Sequence, residues 1–240
     1  MNSTALRQWT SACALAETIG MTAASGAAKA VQALSDRPGV LGGTAVALGL
    51  IVTGGLVEGV ALGTAQGVVL SRIWPALARG RYLIVTVVLA GVGWAAASAP
   101  SVLAGDDSGT EPSLALMLAG GAGIGLVMGP VLGAAQAWAL RSVVRRPWRW
   151  VAANTVAWPP VMAVIFFGAS RPADSWSAPA VLGVGAVTGI AAGALLGILT
   201  GPWLPSLDAP AVRHRVGPIA APRLGRDRSA SSGRHPHAAP

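Results

Sequence analysis

From Val40 to Leu70 the chain carries a single charge, Glu58. About twenty apolar residues cross a bilayer core as a helix, so this stretch can span it and must tilt or project beyond it. Four further stretches read the same way, at 82–104, 113–140, 150–168 and 178–204. Backbone amides and carbonyls in hydrocarbon find no water to bond, which forces such segments into helices. Only 11% of the 240 residues are charged and 53% are hydrophobic, whereas a soluble domain carries about a quarter charged residues. The expected fold class is therefore all-α, an integral membrane helical bundle.

Part of the 40–70 span is written twice. Gly55 to Leu70 reads GLVEGVALGTAQGVVL, and Gly125 to Leu140 reads GLVMGPVLGAAQAWAL. A worn third copy is Gly189, Gly193, Leu196 and Gly197, with Thr200 where the glutamines stand. At 100° per residue, Gly55, Gly59, Leu62, Gly63, Gln66 and Leu70 share an arc of about 100°. Helices in lipid associate through close van der Waals contact and interhelical hydrogen bonds, and small residues at i, i+4 and i+8 let backbones approach. Gly55, Gly59 and Gly63, Gly125, Gly129 and Gly133, and Gly189, Gly193 and Gly197 are thus expected to be helix-packing seams. The expectation is that spans two, four and six meet at these seams near the centre, with the other spans outside.

Each of the first two seam helices runs into a basic loop: Arg72, Arg79 and Arg81, then Arg141, Arg145, Arg146 and Arg149. An aromatic residue opens the span that follows, Tyr82 once and Trp148 with Trp150 the second time; Trp9 beside Arg7 fits the same pattern. The unit is an aromatic-led helix, a loop, a glycine-seam helix and a basic loop. Three such hairpins make about six spans in a parallel repeat, with a pseudosymmetry axis along the membrane normal.

The first span, 9–32, contains Glu17. A cleaved signal peptide ending near AASGAAKA and an interfacial amphipathic helix are its alternatives; Glu17 would interrupt the apolar region of a signal peptide. Asp36, Arg37, Pro38 and Gly39 form a turn. Pro159–Pro160 is expected to kink or break the fifth span. Residues 205–240 are rich in Pro, Ser and Arg and are read as a disordered tail.

Cytoplasmic loops carry an excess of Arg and Lys. That places the two Arg loops inside, and the 105–111 loop, with Asp106, Asp107 and Glu111, outside. Six Arg in the tail and Arg7 agree with both termini in the cytoplasm of a cell-membrane protein; Lys29 and Arg37 fall outside and conflict mildly. The net charge of +8 is accounted for by this topology, and no nucleic-acid partner is expected. The partner is the lipid bilayer, with anionic headgroups beneath the Arg loops and tail.

Cys13 is the only cysteine, and His214, His235 and His237 all lie in the tail, so no metal site or cofactor is expected within the spans. GAGIGLVMG sits in an apolar span with no strand before it and is no dinucleotide loop. Walker, HExxH and GxSxG motifs are missing, and the loops are too short for a catalytic domain.

Glu58, Glu17, Gln66, Gln136 and Asn154 are the strongly polar residues at membrane depth and form the candidate intramembrane site. Gln66 and Gln136 lie in the seam and suit interhelical hydrogen bonds. Glu58 stands about 21 Å from Arg72 along a helix axis. Its counterparts in the other copies are Met128 and Ala192, so the acid is not needed for packing. A charge at bilayer centre costs at least about 2.5–3.5 kcal/mol, and both carboxyls are expected to be neutral or hydrogen-bonded in the interior.

The paired pattern resembles a group of multi-pass membrane proteins from GC-rich bacteria. Their hairpins repeat a G-x-x-x-G-x-x-Q-W-x-x-L-R helix end followed by a Trp-led helix beginning like W-V-x-A-T. Gly59 to Leu70, Gly129 to Arg141, Trp150-Val151-Ala152-Ala153, and Glu17 with Gly20 carry the resemblance, over roughly residues 9–200. Gly67 and Ala137 replace the Trp after Gln, and Ser71 replaces the Arg. The resemblance implies architecture and no activity. Two roles stay open: a non-enzymatic structural or accessory membrane protein, and a small transporter or channel with a polar path near Glu58, Glu17 and Gln66.

Overall fold

The computed structural model describes residues 3–35, 43–104 and 113–208. The turn expected at 36–39, the acidic loop at 105–111 and the tail from residue 209 lie outside the described residues. Six long helices follow one another: α1 Ser3–Ser35, α2 Gly43–Ile73, α3 Arg79–Ala104, α4 Leu114–Leu140, α5 Trp148–Ala169 and α6 Ala178–Thr200. Among the described residues there is no strand. α2 to α6 are long and apolar enough to cross a membrane, which is compatible with an integral membrane protein. α1 has the length, at 33 residues, but is the least apolar of the six.

Helix ends fall where local chemistry stops the turn. Ser113 caps α4, its hydroxyl accepting from the Leu116 amide at 3.3 Å, which answers one of the four orphan amides of a helix start. α6 begins after Ser177 with Pro179 in its first turn, where a missing amide costs nothing. Of the kink or break expected at Pro159–Pro160, the break does not occur: α5 is one helix from Trp148 to Ala169. A proline inside a membrane helix is tolerated when neighbours and local adjustments re-satisfy the freed carbonyls. Here α4 lies directly against the pair, its Gly125 on Pro159.

The helices close into a ring. Each packs on two neighbours, α1 on α2, α2 on α3, and so on round to α6 on α1. The expected meeting of the three seams at the centre is not what forms, since α2, α4 and α6 make at most marginal contact with one another. Each seam instead lies on the aromatic-led helix that follows it round the ring. Gly59 meets α3, where an added Cβ would stand 2.8 Å from the Val87 Cα. Gly125 meets α5, 2.7 Å from the Pro159 Cα, and Gly129 meets the Asn154 carbonyl oxygen at 2.6 Å. Gly189 and Gly193 meet α1, 2.6 Å from the Cα atoms of Thr18 and Ala14. The aromatic-led helices are therefore the partners of the seams. Glycine on one helix and backbone on the other is the arrangement that maximises contact where lipid supplies no hydrophobic drive.

The ordered chain also runs past the expected start of the tail. Gly201–Trp203 makes a 3-10 turn and Leu204–Asp208 a short helix, α7, with Leu204 and Leu207 buried. The Arg146 amide donates to the Leu207 carbonyl at 3.0 Å, and the Trp74 indole donates to the Asp208 carboxyl. α7 thereby ties the α2–α3 and α4–α5 loops together beneath the ring. The reading from 205 followed Pro and Ser composition and missed this anchor. A chain ending at residue 203 is expected to melt several degrees below one ending at 209, because two buried leucines are worth roughly 1.5–3 kcal/mol each. Matching melting curves would remove α7 from the folded unit.

Candidate functional site

The polar residues at membrane depth fall into two groups. The first is a node on the side of the ring nearest the basic loops. Trp9, Tyr82 and Trp150 are fully buried, and each donates across a seam to the polar residue that ends it. Trp9 Nε1 bonds Thr200 Oγ1 at 2.9 Å, Tyr82 Oη bonds Gln66 Oε1 at 2.8 Å, and Trp150 Nε1 bonds Gln136 Oε1 at 2.9 Å. Gln136 Nε2 reaches Thr86 Oγ1 at 3.1 Å and Gln66 Oε1 at 3.4 Å, while Gln66 Nε2 points at Cys13 Sγ at 3.6 Å. Trp9 and Trp150 meet edge to face, their centroids 5.6 Å apart. Aromatic pairs in this geometry add about 0.5–1.5 kcal/mol beyond burial.

Gln66 and Gln136 are thus brought together, and their chemistry is spent on one another and on the aromatic donors. Asn154 stands apart. Its Nδ2 bonds the Trp150 carbonyl at 2.9 Å and its Oδ1 accepts from Trp158 Nε1 at 3.0 Å, a closed arrangement within one helix.

The second group lies in the half of the ring away from the basic loops. A cavity of about 230 Å³ is lined by residues of α1 to α5, among them Glu58, Leu62, Thr86, Trp94, Met128, Trp158 and Phe166. It sits where α3 and α4, the least closely packed neighbours in the ring, separate. Met128 and Leu132 of α4 and Trp94 and Ala90 of α3 are all in its lining. Among the described residues, Glu58 is the one carboxylate in its lining, and no Lys, Arg or His is there to balance it. The Trp94 indole donates to Glu58 Oε2 at 2.7 Å.

Trp94 is placed by Gly55, whose missing side chain leaves room for the indole, and Glu58 is held from behind by Gly20 of α1. Glu17, one turn before Gly20, is fully buried, and among the described residues neither of its carboxyl oxygens has a hydrogen-bond partner. It lies near enough to Glu58 for the two to repel if both were ionised.

A second cavity, about 270 Å³, adjoins the first through Met21, Trp94 and Ala169. It is lined by α1, α6 and the α5–α6 loop, out to Lys29, Gln32 and Asp174. Lys29 Nζ donates to the Asp174 carbonyl at 2.9 Å. This lysine, which sits against the positive-inside pattern, is thus held by a loop carbonyl. One cavity reaches the α5–α6 loop and the other reaches Glu58, with Leu62 and Leu132 in the lining of the latter.

Of the five polar candidates, then, Gln66 and Gln136 share the node, Glu58 lines the cavity, Glu17 lies behind it, and Asn154 serves its own helix. Sequence reasoning missed Trp94, Thr86 and the donor role of the three leading aromatics. The spacing of Trp94 from Glu58 carries no motif, since the two sit on different helices. The recurrence of Trp9, Tyr82 and Trp150 after basic residues was a visible signal, but it marks a membrane interface equally well.

The described residues contain no group of three or more His, Cys, Asp or Glu side chains that could hold a metal ion. No family model, curated protein or solved structure matches this chain at a significant level.

Proposed function

We propose that this chain is a multi-pass protein of the cell membrane whose six-helix ring carries a small molecule, taken up into the cavity at Glu58. The observation that carries the reading is the asymmetry of the ring. Its interior is hollow and leads to a buried carboxyl on one side, and is filled with hydrogen-bonded aromatic and amide groups on the other. A carrier closed towards one face and open towards the other needs that arrangement. The reading is non-enzymatic and includes no cofactor or metal.

Two further elements belong to the proposal. The three glycine-seam helices and three aromatic-led helices are three copies of one hairpin, supported by the matched bonds of Trp9, Tyr82 and Trp150. α1 is the sixth span despite its weaker hydropathy, because it packs between α2 and α6 and buries Glu17 there. The basic loops and both termini face the cytoplasm, with Arg81 and Arg141 stacked on Trp138 at 5.1 and 5.0 Å, as suits a headgroup layer with anionic lipid. The cavities then open away from the cytoplasm. A second reading, a structural or accessory membrane protein, is favoured by the backbone-close glycine packing on three sides of the ring.

Access decides between them. The native Cys13 is buried, so a cysteine placed at Ala97 in the cavity reports alone. In intact cells, Ala97→Cys is expected to react with a small membrane-impermeant thiosulfonate added outside, while Ala137→Cys in the filled half is expected to stay unmodified. No reaction at Ala97→Cys, or reaction only after the cytoplasmic face is exposed, would rule out the outward-open carrier.

A further inference from the structure

We infer that the ligand class of the Glu58 cavity is a small lipophilic monocation, an aromatic or alkyl amine or quaternary ammonium. The inference rests on the carrier reading above and narrows it. An engineered cavity of about 150 Å³ admits benzene; 230 Å³ takes a ring with a short substituted arm. Most of the lining is apolar, which selects against sugars, nucleotides and other polyols, whose hydroxyls would be buried without partners. Against that apolar wall stands one buried carboxyl, Glu58, with no basic side chain among the described lining residues.

Two features assign the sign of the missing partner. An anionic ligand would find no opposite charge among the described lining residues, and Glu17 stands behind Glu58 with neither oxygen hydrogen-bonded among the described residues. A cation that enters as the Glu58 carboxyl gives up its proton to solvent would complete an ion pair in a site where buried charges persist only when paired. Trp94, Trp158 and Phe166 line the same space, and aromatic faces attract ammonium groups through the ring quadrupole, more strongly where water is excluded. Because Glu58 has Met128 and Ala192 at the matching positions of α4 and α6, the ring presents this carboxyl on one side only. One cation per ring is the expected stoichiometry.

The test uses the full chain purified in detergent and two probes of similar size, benzyltrimethylammonium and the neutral N,N-dimethylbenzamide, with binding read by calorimetry. The cation is expected to bind wild type more tightly than the amide. Glu58→Gln is expected to weaken the cation by about tenfold or more, as for loss of one partner of a buried pair, and to leave the amide within about twofold. Ala97→Phe, which fills the cavity and keeps Glu58, is expected to lose both probes. Should Glu58→Gln fail to purify as a single species, the ranking of the two probes on wild type decides. An amide bound as tightly as the cation, or a cation undiminished by Glu58→Gln, overturns the monocation class while the carrier reading stands. If neither probe binds wild type, the monocation class falls, and the carrier reading is decided by the Ala97→Cys reaction.

Discussion

Gly125→Ala is expected to destabilise the folded protein, and Gly125→Leu or Gly129→Leu to prevent its recovery altogether. The two glycines lie where α4 crosses α5, and a Cβ at either would stand within 2.7 Å of backbone atoms of the neighbouring helix. Backbone cannot rotate away as a side-chain tip can, so the helices must separate. Forcing one extra methyl into a packed interface costs about 1–3 kcal/mol, and a leucine adds three more carbons to the same clash. Gly123 of the same helix is the control, because nothing lies within 4 Å of its Cβ position. Gly123→Ala is expected to leave the melting temperature unchanged or raise it, since alanine favours helix over glycine by about 0.8–1.0 kcal/mol in water. Thermal unfolding of purified protein, read by size exclusion after heating, separates the cases. If Gly125→Ala and Gly123→Ala melt alike, the seam does not hold α4 to α5.

The second large effect is expected at Trp150. The indole is fully buried, meets Trp9 edge to face and donates to Gln136. Trp150→Ala leaves a void at the centre of the node, and a buried tryptophan reduced to alanine costs about 3–5 kcal/mol. Trp150→Phe keeps most of the volume and removes only the donor, leaving Gln136 Oε1 unpartnered at a cost of about 1–3 kcal/mol. Gln136→Leu is expected to cost a similar amount, because it strands the Trp150 indole donor, while Thr86 keeps its bond to the Tyr82 carbonyl. The double variant Trp150→Phe with Gln136→Leu should then be less damaging than the two single effects summed. Strict additivity of the singles would show that the hydrogen bond contributes nothing.

Much of the architecture was legible because lipid leaves few choices. Long uncharged runs must be helices, and their ends follow from Arg, Pro and Ser. The glycine register of α2, α4 and α6 was legible too, as spacing. What those glycines touch was not, because a seam states that something approaches closely and not which helix does. Two seams facing each other and one seam facing an aromatic-led backbone leave the same spacing in the chain. Gln66 and Gln136 were readable as interhelical partners because few other groups exist at that depth. Glu58 stood out as the departure from its copies, but the cavity beside it lies where α3 and α4 pack least closely, which no local pattern encodes. Residues 205–208 were misread for the complementary reason: Pro and Ser suggest a tail, and the anchor depends on where Trp74 and Arg146 happen to be.

The amino-acid sequence by itself determined a helical fold with long apolar spans, the face each glycine seam occupies, and which few polar groups lie deep. Those properties follow from transfer free energy and helix periodicity, which act within one segment. The tertiary structure decided that the helices close as a ring, that seams lie on Trp- and Tyr-led helices, and that Glu58 borders open space while Gln66 and Gln136 do not. Those outcomes depend on packing between segments far apart in the chain, where a difference of one helix face turns a filled core into a cavity.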